Sequence, residues 1–495
     1  MKRSAGILLP ISSLPSAYGI GCFDKAAYAF VDFLKEAGQT FWQILPLGPT
    51  SYGDSPYQSF STFAGNPYFI SLDALCEENL LTQEECQSAA MTDTDSVDYS
   101  GLYEKRLPIL KKAFLRSKIE MDADFAKFSE EHTWLSDYAL FMALKDYFGG
   151  VSWDHWEDNI RLRDAETLRT WRRTLSDEIG FYKFLQYQFF RQWYKLKRYA
   201  NANGIQIIGD IPIYVAFDSA DAWANPKLFQ LEKNGLPKAV AGCPPDGFAA
   251  DGQLWGNPLY DWAYHRETGY AWWIARLSHC FRLYDVVRID HFRGFDEYYS
   301  IPYGETTAKN GHWEKGPGME LFRSVEQSLG KRQVIAEDLG FMTDSVRQLV
   351  KDSGFPNMKV LEFAFDSRDT GSRNDYLPHN YTENCVAYTG THDNQTITSW
   401  FETITDEERA MARKYLCDSY TPDRKLHRVF ISLIMRSRAN LCVIPMQDWL
   451  GYDDRSRINV PSTVGENWKW RLKKGVLTDA LRDDIYSTTQ IYGRV

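Results

Sequence analysis

The sequence predicts an α/β protein built as a (β/α)8 TIM barrel, with a large, mainly helical insertion after the second strand and a loop-rich insertion after the third. Three observations carry this expectation. Eight short apolar runs rich in Val and Ile recur along the chain, several are followed by helical patterns, and two stretches are too long to be simple crossovers.

The runs cover residues 6–9, 41–47, 205–211, 286–290, 334–337, 360–363, 386–391 and 440–445, each closed by a polar residue or a turn signal. Continuous apolar runs of this length suit strands buried on both faces of a parallel sheet. Asp24 caps a helical pattern with Ala27, Phe30, Val31 and Leu34 on one face, and Gly38 stops it. Thr343 or Asp344 opens a second, which ends at Gly354, and Thr405 with Glu408 forms a capping box before a third. Residues 72–202 lack buried strands and show helical spacing at 134–144, 165–175 and 181–199. Residues 214–270 carry the turn signals Pro244-Pro245-Asp246-Gly247 and Asn257-Pro258, the character of a long loop over a barrel mouth. The expected organisation is a catalytic barrel of 1–71 and 203–495, a helical insertion at 72–202, and a loop-rich insertion at 214–270.

Composition narrows the function. The chain has 495 residues, 44% hydrophobic and 25% charged, enough to bury a substantial core. A net charge of -10 argues against nucleic acid as the main partner. No apolar stretch of about 18 residues is present to span a bilayer. The apolar run before Pro10 is too short for a signal peptide, so a cytoplasmic location is expected. Eight cysteines with no CxxC pair read as reduced thiols rather than a zinc or redox site. Aromatic residues make up 15% of the chain, which suits either a well-filled core or surfaces that stack on flat, neutral rings such as sugars. No motif speaks to oligomeric state.

Phosphate-loop, HExxH, GxSxG and complete GxGxxG motifs are absent, and Asp93-Thr94-Asp95-Ser96 lacks the glycine of a calcium loop. What stands out is polar residues at strand ends, which a barrel gathers on one face. Asp210 ends the third run; Arg288, Asp290 and His291 the fourth; Glu337 and Asp338 the fifth; His392 and Asp393 the seventh. Singly, each suits a helix cap or a structural hydrogen bond. Jointly, several acids at one mouth repel one another unless function requires them. Arg288 lies two residues before Asp290, on the same side of its strand, where it holds that carboxylate ionised. Two carboxyl groups in opposed protonation states are what cleavage of a glycosidic bond demands. Metal-assisted chemistry with the same acids stays open, although the spacings match no standard ligand set.

With these motifs assembled, the chain resembles the 4-α-glucanotransferases called amylomaltases or disproportionating enzymes, relatives of the α-amylases. The resemblance covers essentially the whole length. It is carried by Arg288-Ile289-Asp290-His291-Phe292-Arg293-Gly294, Ala336-Glu337-Asp338-Leu339-Gly340 and Thr391-His392-Asp393, in the order of the amylase-type signatures. Ser51-Tyr52-Gly53-Asp54-Ser55-Pro56-Tyr57 and the loop from Pro244 to Tyr260 match the glucanotransferase branch. The resemblance implies Asp290 as nucleophile, Glu337 as acid/base and Asp393 as a transition-state stabiliser. It implies Tyr57, Asp210, Arg288 and His392 around the donor glucose, and Asp246, Phe248 and Trp255 over the glucan. Ser55, Asn257 and Tyr52 follow as further sugar contacts. The His that amylases carry five residues after the Asp of a GDIP-type segment is Val215 here, a loss typical of the amylomaltase branch. No cofactor or metal is implied. The implied reaction moves α-1,4-glucan segments from a maltooligosaccharide donor to the 4-hydroxyl of an acceptor glucan, with retention. The nearest alternative is an α-1,4-glucan hydrolase using the same residues; a catalytically dead glucan-binding protein and a phosphate-using barrel enzyme are further ones.

Overall fold

The structure, a computed structural model, describes residues 2–119, 122–245, 250–340, 342–367 and 371–495. Among these the strands are β1 (Ser4–Leu8), β2 (Phe41–Gln43), β3 (Gln206–Pro212), β4 (Ala239–Cys243), β5 (Gln253–Pro258), β6 (Val286–Asp290), β7 (Glu297–Pro302), β8 (His312–Lys315), β9 (Val334–Ala336), β10 (Asn357–Val360), β11 (Cys385–Tyr388) and β12 (Leu441–Pro445). Eight of them close a parallel barrel in the order β1-β2-β3-β6-β9-β10-β11-β12. The fold is the expected (β/α)8 barrel.

Local signals account for much of it. Asp24 accepts the Ala26 N–H at 2.9 Å and starts the helix Lys25–Glu36; Gly38 follows its end at φ 67°. Thr343 caps Asp344–Ser353, which stops at the left-handed Gly354, and both bonds of the Thr405/Glu408 capping box are made. One run is displaced. The strand expected at 360–363 is Asn357–Val360, and Leu361–Phe363 is a 3-10 turn. Met358 and Val360 are buried while Asn357 and Lys359 are half-buried, so the apolar run begins only where the strand ends.

Between β2 and β3 the chain is helical. The last helix there, Ser176–Ala202, packs Phe189 against Gly65 and Phe23, while the Trp193 indole donates to the Leu283 carbonyl at 3.2 Å and Tyr199 to Asp32 at 2.6 Å. It therefore belongs to the barrel wall as well as to the inserted helices, and one continuous apolar core runs through both. The 214–270 segment is more ordered than its turn signals suggest. It supplies β4 and β5, which join β7 and β8 in an antiparallel sheet ordered β5-β4-β7-β8. Gly and Pro inside β5 hid it from a strand pattern; such residues are tolerated at a sheet edge. No helix of the described residues is long and apolar enough to cross a membrane.

The third strand shows how tightly the barrel is filled. A Cβ added at Gly209 would lie 2.1 Å from the Tyr284 ring. Overfilling such a site costs about 1–3 kcal/mol. Gly209→Ala is expected to lower the urea midpoint by a corresponding amount at unchanged slope; stability equal to the parent would rule this contact out as a constraint. Just beyond, the buried Arg276 donates to the Pro212 and Ile213 carbonyls, and the Tyr260 hydroxyl donates to Ile213 at 2.8 Å. These bonds fix the turn that leaves the strand carrying Asp210.

Candidate active site

Strand register brings the polar residues together. Asp210 on β3 pairs with Arg288 on β6, Pro212 with Asp290, and Ile289 with Ala336 on β9, immediately before Glu337. Arg288 and Asp290 are two residues apart and project to the same side. The buried guanidinium accordingly bridges two acids: Arg288 Nη1 lies 2.6 Å from Asp210 Oδ2 and 3.1 Å from Asp290 Oδ1. Its Nε sits 3.3 Å from the Met358 sulfur. The Tyr57 hydroxyl, from the loop after β2, donates to the same Asp210 oxygen at 2.8 Å.

Glu337 is held by main chain. Its two oxygens accept N–H groups from His291 at 2.6 Å and Leu339 at 2.7 Å. His291 takes a left-handed backbone (φ 53°), uncommon outside glycine, at the bend where its N–H meets that carboxyl. Asp338 turns away and accepts from Met358 N–H and the Asn357 amide, a structural role. Past β11, His392 Nε2 lies 3.2 Å from Asp393 Oδ2, and the Tyr57 ring stacks on His392 at 5.2 Å and 16°.

The electrostatics separate the three acids. Burial pushes Asp290 up to about 6, with Asp210 and Asp393 adding to the rise and Arg288 opposing it. Glu337 is pushed further, to about 7, by burial and by the facing Asp290 charge. Burial would raise Asp393 too, but the His392 charge and hydrogen bonds from His392 and Asn459 outweigh it and hold the acid at about 2. His392 is raised in return: burial opposes its charge, and the Asp393 contact prevails. Burial drops His291 to about 3, leaving a neutral ring. The mouth thus combines a carboxylate fixed in the ionised form, one paired with arginine, and one that keeps its proton near neutrality. Groups so arranged are candidates for acid/base work.

The remaining candidates divide. Trp255 on β5 meets the His291 ring edge-on at 4.8 Å. Ser55 accepts the Tyr57 N–H at 3.2 Å and shapes that turn. Asn257 uses its amide within the protein, donating to the Val215 carbonyl at 2.8 Å and accepting from Gln58 at 3.3 Å. Tyr52 heads the turn Tyr52–Asp54. Asp246 and Phe248 lie outside the described residues. Three neighbours carried no sequence signal. Asn459 donates to Asp393 Oδ1 at 2.6 Å; Arg457 donates to the Asp393 carbonyl at 2.7 Å and to the Asn459 carbonyl at 2.8 Å. Trp468, at φ 66°, stands 5.7 Å from Tyr57 and 6.1 Å from His392, completing a three-ring wall.

Known proteins share this architecture. The sequence profile of the family described as 4-alpha-glucanotransferase matches residues 9–478. A 4-alpha-glucanotransferase of Clostridium butyricum is 50% identical over 488 residues, 98% of this chain and 99% of the relative. The structure of amylomaltase from Streptococcus agalactiae in complex with acarbose superposes with a TM-score of 0.96 at 44% identity, covering both chains completely. The amylomaltase of Corynebacterium glutamicum, at 20% identity, shares the fold with a TM-score of 0.81 over 100% of this chain and 75% of its own. A match that spans nearly the whole chain, joined to this set of acids at a barrel mouth, leads to one conclusion: the chain belongs to the 4-alpha-glucanotransferase family.

Proposed function

We propose that this glucanotransferase works by double displacement, with Asp290 as nucleophile, Glu337 as acid and then base, and Asp393 as stabiliser of the distorted transition state. The observation that carries this reading is Arg288. It bridges Asp210 and Asp290 and so favours ionised Asp290 beside a Glu337 that holds its proton.

In the first step Asp290 attacks C1 of the donor glucose. The C1–O4′ bond breaks, its electron pair stays on the glycosidic oxygen, and Glu337 protonates that oxygen. The reducing-end fragment leaves. In the second step ionised Glu337 takes the proton of an acceptor 4-hydroxyl. The acceptor oxygen attacks C1, the ester to Asp290 breaks, and the α-linkage is restored. Tyr57, Asp210, Arg288 and His392 line the donor glucose in this reading, and Trp255 covers the acceptor side. Transfer prevails over hydrolysis when the acceptor is well bound and water poorly placed. Aromatic walls and the loop around 243–256 serve that end. The substrates are maltooligosaccharides and α-1,4-glucans, and the compartment is the cytoplasm.

Maltotriose alone tests the reading. Glucose together with maltopentaose and longer chains, at nearly constant total reducing ends, is the expected product pattern. A steady rise in reducing ends with only shorter products would make water the acceptor and refute transfer.

A further inference from the structure

An acid that the reaction does not use stands at the same rim. Glu362 lies just beyond β10, between the strand ends that carry Glu337 and Asp393. It is buried, and its N–H donates to the Thr389 carbonyl at 3.4 Å, which sets it against the chain leaving β11. A Cβ added at Gly390 would lie 2.7 Å from Glu362 Oε1, with Asn394 Cβ at 3.1 Å and the Gln395 carbonyl oxygen at 3.3 Å. The carboxyl thus fills the place that a side chain at position 390 would take. Its Oε1 has no hydrogen-bond partner among the described residues. Burying such an atom is costly, and what it gives in return is shape at Gly390.

Gly390 opens the tight turn that carries His392 and Asp393, and Asn394 closes it. Asn394 Oδ1 accepts the Thr391 N–H at 2.9 Å and the Thr391 hydroxyl at 2.8 Å; that hydroxyl accepts the Asp393 N–H at 3.3 Å. The Asn394 amide also faces Glu362, so this one carboxyl meets both ends of the turn. The neighbouring acids are already engaged. Asp448 accepts the Thr389 hydroxyl and, at 2.9 Å, the Ile397 N–H. Asp454 accepts the Thr396 N–H at 2.8 Å and the Gln395 amide at 2.9 Å. Arg457, 3.7 Å from Asp454, donates to the Asp393 carbonyl. Burial pushes the Glu362 carboxyl well above its ordinary range, with the Asp448 and Asp454 charges adding and Arg457 and the Asn394 amide opposing. Glu362 therefore keeps its proton and is as neutral as an amide.

We propose that Glu362 is a positioning residue: wedged against Gly390 and facing Asn394, it sets the turn from which Asp393 meets the distorted sugar. The proposal rests on the reading of Asp393 as transition-state stabiliser. Glu362 acts through the backbone of that turn, and a shift of Asp393 by about 1 Å is enough to cost on the order of 10²-fold in rate.

Glu362→Ala removes the wedge and is expected to lower kcat on maltotriose about 10–10²-fold, with KM near the parent value, because the lost contact is one made in the transition state. Glu362→Asp, which withdraws the same group by one methylene, should share the loss and serves where melting temperatures show that the alanine variant has lost its fold. Glu362→Gln keeps shape and neutrality and should restore kcat and both limbs of the pH profile, with Asp448, Asp454 and Arg457 still facing the position. α-Maltosyl fluoride, which reacts without the Glu337 proton, keeps the rates of an Asp393→Asn background measurable. There Glu362→Ala should add less than about two-fold, since its effect runs through Asp393. Parent-like kcat in the folded alanine and aspartate variants, a glutamine variant as slow as alanine, or losses that multiply in the double variant would each overturn the proposal and leave the transfer reading intact. Near-normal transfer by Asp393→Asn alone would instead remove the role given to Asp393, and the proposal with it.

Discussion

Replacing Asp290 with alanine is expected to lower transfer on the order of 10⁵-fold, the scale seen when a nucleophile acting within a catalytic unit is removed. The size follows from the geometry. Asp290 is the partly open partner of the buried Arg288, 3.1 Å away, and among the described residues the other acid paired with that guanidinium is Asp210. Asp210 is fully buried and already bonded to Arg288 and Tyr57, so it cannot take over the attack. Azide supplies a diagnostic. In the alanine variant it occupies the vacated space, attacks C1 of an α-linked donor and yields the β-glucosyl azide with the fragment released. Near-normal transfer in the alanine variant, or an azide product of α configuration, would defeat the assignment.

Glu337→Ala should cost about 10²–10⁴-fold on maltotriose, the usual range for a general acid/base. The loss should shrink on α-maltosyl fluoride, because fluoride leaves without a proton; the glycosyl-enzyme then accumulates, since the second step still lacks its base. The pH dependence carries the same information. Asp290 must be ionised, which develops as pH rises through about 6. Glu337 must hold a proton, which is lost as pH rises through about 7. Both groups are raised by burial and face each other, so kcat/KM for maltotriose should fall on the acid side as Asp290 gains a proton and on the alkaline side as Glu337 loses one. With the fluoride donor and the alanine variant, the alkaline limb should disappear while the acid limb stays. An alkaline limb that persists unchanged would assign that proton to another group.

Much of this was legible in the chain because barrels translate strand ends into proximity. Asp210, Arg288, Asp290, Glu337 and Asp393 stand at the carboxyl ends of apolar runs, and closing those runs into a parallel ring places them around one mouth without further information. Helix starts at Asp24, Thr343 and Thr405 were equally plain, since a cap is a local device. Contacts made by irregular backbone were not legible. Asn459 and Arg457 hold Asp393 from a segment with no periodicity, and Trp468 reaches the Tyr57–His392 stack only through a left-handed conformation that its side chain does not favour. Strand β4 was hidden for a related reason, because one of its partners is β7, far along the chain, while β5 is an edge strand broken by Gly and Pro that pairs with β4 alone. Asn257 shows the converse: a residue in a matching motif whose amide is occupied by Val215 and Gln58.

The helix Ser176–Ala202 carries a consequence for how the molecule comes apart. Its 27 residues form a rod about 40 Å long. Its Phe184 packs on Phe114 of an inserted helix, while Trp193 packs on Phe23 and bonds the Leu283 carbonyl beside the barrel. Such a rod cannot melt at one end without loosening the other, so the inserted helices have no independent unfolding transition to undergo. Heating should release both parts in one cooperative step, and limited proteolysis should find no boundary there at which to liberate a stable fragment.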